Sequence, residues 1–337
     1  MKKITLTIFF ILSGCILLLS GIWIYFQKNL DRVELSEGEH AVSYQRHYLM
    51  ISNDKDTGMW QSIYDSASKT AENENAYVEL LSTEETTDYT QADCIRIGIA
   101  SQVDGIILEP DGSEEEQLLI DEATKEGIPV VTVMTDNTST SRISFVGLNS
   151  YQLGNTYTEQ IIDMLPKEGA TSITFLSTSS SKTQETNLIY SQVKKELESR
   201  RTVDQMIELN EYCVDSSADF DTEEFVRDIF VNNDDLPDIL VCMDEVVTKC
   251  VYQALVDYNQ VGNVKVIGFY YSDVILSAID KGIISSSITF DMAEIGKYSV
   301  NALDEYLSLG HSNSYYSVAQ HVITKENTAE YRMEEEK

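Results

Sequence analysis

"VDGIILEPDGSEEEQLLIDEATKEGIPVVTVM", residues 103–134, is the stretch whose reading decides the fold. Two apolar runs, VDGIILEP and IPVVTVM, flank an amphipathic segment from Ser113 to Glu126. Gly105 and Gly112 mark loops, and Gly127 and Pro129 punctuate the return from helix to strand. Short apolar runs on either side of a helix of about 10–15 residues are the pattern of a parallel βαβ unit.

The same rhythm extends in both directions. Upstream, the folded body begins at HYLMIS (47–52), followed by a helix over Gly58–Glu72, the strand AYVELLS (76–82) and a helix around Thr90–Ala100. Downstream the alternation restarts with a helix over Ser150–Leu165, the strand SITFLST (172–178), a helix over Gln184–Arg200 and the strand DQMIEL (204–209). A helix over Asp221–Asn232, the strand DILVCM (238–243), a helix over Val246–Tyr258 and the strand KVIGFY (265–270) complete it. Two successive α/β units of similar size predict two Rossmann-like lobes with parallel sheets. Ligands of such sheets lie outside the carboxyl ends of the strands, so the cleft is expected between the lobes.

Ahead of this body, Ile4 to Phe26 is apolar or weakly polar throughout. At about 1.5 Å per residue it is long enough to span a hydrocarbon core of about 30 Å. Lys2 and Lys3 precede it, so residues 1–3 are expected in the cytoplasm and the bulk of the chain outside, a single-pass arrangement at the cell membrane. Leu12-Ser13-Gly14-Cys15 resembles a lipobox, but the apolar run continues past the cysteine where a flexible polar tether would be expected. Residues 4–26 therefore read as a transmembrane anchor, with lipidation of Cys15 as the lesser alternative. Residues 27–46 are polar and acidic without periodicity and read as a tether.

The chain has 24 basic and 56 acidic residues, a formal charge of -32. That balance argues against nucleic-acid binding, which needs Lys/Arg patches for the phosphates. Beyond Cys15, the cysteines at 94, 213, 242 and 250 form no dense framework and read as isolated, mostly buried thiols, although one bridge stays open. No catalytic arrangement is visible: His40, His47, His311 and His321 are dispersed, without metal-ligand spacing. STSSSKT (177–183) ends like a phosphate loop but lacks both glycines, and DSSADFDTEE (215–224) lacks the central glycine of a calcium loop. Neither a metal, nor a cofactor, nor an enzymatic activity is called for.

Two stretches carry a resemblance. Residues 103–155, from VDGIILEP through FVGLNSYQLGN, closely resemble the type I periplasmic binding proteins, in particular the ribose-type and sugar-binding group. Residues 237–296, from PDILVCMDE through AEIG, resemble the second half of the same family. The order of DGII, GIPVV, FVG, VIGF and IG extends the similarity over roughly Tyr48 to Ile323. The resemblance implies two discontinuous lobes, 47–148 plus 291–317 and 149–290 plus 318–325, joined by a three-stranded hinge and followed by an acidic tail, 326–337. The crossings would fall near Leu148 and Asn149, near Phe290 and Asp291, and near Val318. Members of the family close over a small ligand like a hinged trap, then deliver it to an ABC-type importer or present it to a sensor kinase. The absence of a helix-turn-helix sets the chain apart from the repressors that share this fold.

At the ligand positions the chain departs from the sugar-binding pattern. Trp60, in GMWQSIYDSA, and Phe220, in ADFD, match aromatic clamp positions, and Asp56 lies among the expected contacts. Met134 stands where sugar binders have Asp after PVVT, with Asp136 two residues on. Met243 precedes a retained Asp244, Tyr270 replaces the Asp after GF, and Phe290 replaces the Gln that closes the site. Gln184 lies closest to the missing Arg, and Glu109 replaces the Asn before Pro110. Several lost hydroxyl partners, each worth about 1 kcal/mol, imply a cleft less sugar-like than the fold. Glu109 offers a charged contact to a cationic or amine-bearing ligand. The expectation is a membrane-anchored extracytoplasmic solute-binding protein for a small carbohydrate-like ligand; the alternative is an interaction protein with a degenerate sugar site.

Overall fold

The central apolar runs become strands buried on both faces. In this computed structural model, which describes residues 44–52, 58–82, 89–178, 184–214, 219–232 and 236–335, two six-stranded sheets form the body. The first contains β1 (Arg46–Ser52), β2 (Ala76–Ser82), β3 (Gly105–Leu108), β4 (Val130–Val133), β5 (Ser144–Gly147) and β11 (Tyr315–Ser317). Its order is β11-β5-β4-β3-β1-β2, and every pairing is parallel. The second contains β6 (Gly169–Thr178), β7 (Gln205–Val214), β8 (Ile239–Cys242), β9 (Lys265–Phe269), β10 (Ser286–Phe290) and β12 (Gln320–Ile323). Its order, β12-β10-β9-β8-β6-β7, repeats that of the first, with only β10 and β12 antiparallel. Every residue of β3, β4 and β8 is buried, as continuous apolar runs demand when helices cover both faces.

The helices are α1 (Gly58–Asn73), α2 (Gln91–Ala100), α3 (Glu114–Lys125), α4 (Ser150–Met164) and α5 (Gln184–Arg200), then α6 (Asp219–Asn232), α7 (Glu245–Asp257), α8 (Asp273–Asp280), α9 (Met292–Leu309) and α10 (Thr328–Glu335). Their starts are written in side chains that accept from orphan N–H groups. Thr90 and Asp93 form a reciprocal capping box, and Ser113 accepts from the Glu116 amide. Asn149 and Asp291 do the same where the chain leaves β5 and β10 for the other lobe, so the first two crossings are fixed by helix caps.

Close packing then locks the first lobe. Gly296 of α9 lies so near α1 that a Cβ there would sit 2.1 Å from the Ile63 carbonyl oxygen and 2.7 Å from the Ala67 nitrogen. Beside it Ser66 Oγ donates to the Ala293 carbonyl at 2.7 Å. Small residues at this crossing let the two backbones touch, which larger side chains would hold apart.

The segment anticipated as an acidic tail is helical from Thr328 to Glu335, because Thr328 Oγ1 and Arg332 both donate to Asp280 and the Tyr331 ring meets Tyr271. Cys94, Cys213, Cys242 and Cys250 form no disulfide. Residues 4–26 and Cys15 lie outside the described residues; among the described residues no helix is long and apolar enough to cross a membrane.

Candidate functional site

The carboxyl ends of the central strands present matching positions in the two lobes. After β4 the chain turns at Met134 with φ +62°, and after β9 it turns at Tyr270 with φ +65°. Each donates its N–H to the neighbouring strand: Met134 to the Val146 carbonyl at 3.0 Å, Tyr270 to the Ile288 carbonyl at 2.7 Å. Left-handed backbone at non-glycine residues costs about 1–3 kcal/mol each and is kept where the surroundings over-determine it. Ser287 Oγ, donating to the Tyr270 carbonyl at 2.5 Å, contributes to that restraint.

These turns feed one apolar cluster. Phe290, 5 % exposed at the end of β10, belongs to the core cluster that includes Trp60, Val133 and Val146, and Met134, Phe269 and Tyr270 pack against it. The Phe290 ring lies 5.9 Å from that of Phe269 and 6.3 Å from that of Tyr270. Strand ends from both sheets thus share a hydrophobic surface at the second crossing. Trp60, expected as an aromatic clamp, is only 2 % exposed inside that cluster. Met243 follows β8 and is buried in the other face of the second lobe.

The carboxylates divide into engaged and disengaged. Asp136 is bound by Arg142, whose Nη2 donates to it at 2.5 Å and whose Nε makes a second bond, and Thr132 Oγ1 donates at 3.2 Å. Arg142 also reaches the Ser314 carbonyl at 3.2 Å, so this pair ties the loop after β4 to the segment before β11. Asp244 caps α7, accepting from the Val247 amide at 2.8 Å, and also accepts from the Thr178 amide at 2.9 Å. Both acids therefore hold structure.

Glu109 differs. It directly follows β3, the place Met243 holds after β8. Gln91 Nε2 donates to its backbone carbonyl at 2.6 Å, and its carboxylate accepts from Thr135 Oγ1 at 3.4 Å. Enclosure by surrounding protein pushes this carboxyl up to about 7, although a part of the residue reaches solvent. Among the described residues no cation pairs with it. Sequence reasoning missed Thr135, Phe269 and Arg142; Phe269 sits in VIGF, which reads simply as strand, and the ion pair of Arg142 has no local signal.

Asp56 lies outside the described residues. Gln184 and Phe220 fall in the first turns of α5 and α6.

The third crossing is gripped by side chains of both lobes. Glu294 of α9 accepts from the Ala319 amide at 2.7 Å and from the Tyr298 hydroxyl at 3.0 Å. Ala319 in turn accepts from the Asp291 amide at 2.9 Å, and Val318 donates to the Gly147 carbonyl at 3.1 Å. Gln320 Nε2 donates to Thr156 Oγ1 of α4 at 2.7 Å. The third crossing is thereby hydrogen-bonded to each of the other two.

Residues 48–312 match a family model described as "Periplasmic binding protein domain". No curated protein matches the chain. Among solved structures, that of a XylFII–LytSN complex is similar at 22 % identity and a TM-score of 0.69, covering 83 % of this chain and 98 % of that one. GanP, a glucose-galactose binding protein from Geobacillus stearothermophilus, aligns at 19 % identity and a TM-score of 0.71, over 84 % and 98 %. A periplasmic ribose ABC transporter structure from Conexibacter woesei aligns at 18 % and 0.71, over 87 % and 96 %. These likenesses speak to the fold.

Proposed function

The chain belongs to the type I periplasmic binding proteins, its domain match spanning residues 48–312, and from that premise we propose that it is a membrane-anchored extracytoplasmic solute-binding protein. Residues 4–26 form the anchor and the residues from 27 up to β1, which begins at Arg46, the tether, holding the two-lobed body at the outer face of the membrane. The body closes over a small ligand, and a membrane partner reads the closed state. That partner is an ABC-type permease or a sensor kinase. Similarity to a glucose-galactose binding protein and to a ribose ABC transporter structure supports the first, and a similar chain solved in complex with LytSN supports assembly with a second protein. The binding residues are Glu109, Met134, Met243, Tyr270 and Phe290, backed by Trp60.

The observation behind this reading is the convergence of strand ends from both sheets, through Met134 and Tyr270, on the cluster around Phe290. Hydrogen-bonded crossings beside it make a natural hinge. The test is thermal melting of the full chain in mild detergent against sugars, nucleosides and amines, with the radius of gyration measured in parallel. A rise of several degrees with one compound, together with compaction, is expected. No shift with any compound and constant dimensions would sink the solute-binding reading.

A second reading is favoured by the depth of Phe290 and Trp60: an interaction protein whose cleft is packed by its own side chains. It predicts unaltered melting with all solutes and retained binding to its membrane partner.

A further inference from the structure

We propose that the cleft takes a small primary amine with an apolar body, the ammonium meeting the Glu109 carboxylate and the body lying against Met134 and Tyr270. This inference rests on the solute-binding reading above and assigns the ligand class of that same site.

Three observations lead to it. First, the acids near the strand ends are sorted by use. Asp136 is consumed by Arg142 and Asp244 by two backbone amides, while among the described residues the Glu109 carboxylate receives only the 3.4 Å contact from Thr135. An enclosed carboxylate without a cation is costly, and the cost is removed when a ligand supplies one. Its raised pKa, about 7, expresses the same deficit.

Second, the surroundings of that carboxylate suit the remainder of such a molecule. Thr135, which touches Glu109, follows Met134, and Met134 packs against the cluster holding Phe290 and Tyr270. Thioether and aromatic faces attract an apolar body, and an aromatic ring also favours a nearby ammonium. A pyranose, by contrast, needs a ring of hydroxyl partners. Here Met134, Met243, Tyr270 and Phe290 stand at the strand ends, and Asp136 and Asp244 are engaged elsewhere. Third, a chain with a formal charge of -32 raises the local concentration of cations and repels anions.

The experiment measures binding of 2-phenylethylamine, of its neutral isostere 2-phenylethanol, and of ribose, xylose and glucose to the full-length protein in mild detergent, by calorimetry at pH 7.5. The amine is expected to bind at least tenfold tighter than the alcohol, and Glu109→Gln is expected to abolish that ratio while leaving the ligand-free melting temperature within a few degrees. Glu109→Asp, which keeps the charge on a shorter stem, is expected to restore part of it. If Glu109→Gln does not fold, the wild-type ratio of amine to alcohol decides alone. Equal binding of amine and alcohol, or tight binding of a sugar unaffected by Glu109→Gln, overturns the amine assignment and leaves the solute-binding reading standing. Failure of every compound to bind overturns the amine assignment, and the solute-binding reading is then decided by the wider melting and scattering screen above.

Discussion

Met134 and Tyr270 occupy the same place in two lobes of the same strand order, each the first residue beyond its strand, each at a φ near +60°, and each donating its amide to the next strand. Neither is a residue that adopts left-handed backbone easily. A repeated, strained turn at the rim of both sheets places two large side chains where the strand ends of the lobes meet. Met134→Val keeps the apolar character but puts a β-branched side chain at this φ. It is expected to lower stability by about 1–3 kcal/mol, read as a reduced urea midpoint at constant slope. An unchanged midpoint would show that the turn relaxes freely.

Gly296 makes a sharper prediction, because its neighbour is backbone. A methyl group 2.1 Å from the Ile63 carbonyl forces α1 and α9 apart along a contact that also holds the Ser66 to Ala293 hydrogen bond. Gly296→Ala is expected to cost roughly 2–4 kcal/mol, in spite of the better helix propensity of alanine. Gly127→Ala, where no atom lies within 4 Å of a Cβ but φ is +89°, serves as a control for backbone strain alone. Its cost should be smaller, about 1 kcal/mol.

The alternation of apolar runs and helical segments was enough to read both lobes, since central parallel strands such as Gly105–Leu108 and Ile239–Cys242 are apolar on both faces. The edge was harder. DQMIEL marks only the first part of β7, which continues to Val214 through Asn210 and Glu211 because an edge strand with exposed faces tolerates polar residues. Three- and four-residue strands such as β11 and β12 carry too little pattern to stand out. At the candidate site, residue types pointed to a departure from the sugar-binding pattern, but not to the use of Asp136 by Arg142. That pairing depends on where a loop folds back, and no periodicity encodes it. The enclosure of Glu109 is likewise a property of the assembled strand ends.

Glu116 gives the pH dependence. It is fully buried, accepts from the Asp111 amide at 3.0 Å through one oxygen, and among the described residues its other oxygen finds no hydrogen-bond partner. Desolvation raises its carboxyl to about 7. Its folded pKa lies above the unfolded value near 4.3, so the native state binds the extra proton. The associated stability is present below about pH 4 and is lost as pH rises toward 7 and beyond. Other acids titrate too, so the readout is the difference between wild type and Glu116→Gln. The variant is expected to gain on wild type from pH 5 to pH 8 by about 1–3 kcal/mol in chemical denaturation. Parallel curves for the two proteins would contradict the assignment.

Glu294 sits on α9 yet holds the amide of Ala319 on the third crossing, the one stretch that passes directly from β11 in one sheet to β12 in the other. Its second oxygen is occupied by the Tyr298 hydroxyl, whose pKa is raised chiefly by that hydrogen bond. The Ala319 contact is exposed, so water replaces it cheaply and global stability should fall by no more than about 1 kcal/mol in Glu294→Ala. The effect belongs to the third crossing instead. Loss of the brace frees the crossing to open locally, and exchange of the Ala319 amide is expected to speed up by about tenfold, equivalent to about 1.4 kcal/mol of local opening. Glu294→Gln keeps an acceptor and should exchange near the wild-type rate. Equal protection of Ala319 in wild type and Glu294→Ala, with no change in the radius of gyration, would mean that the crossing is held by the backbone bonds of Asp291 and Val318 alone.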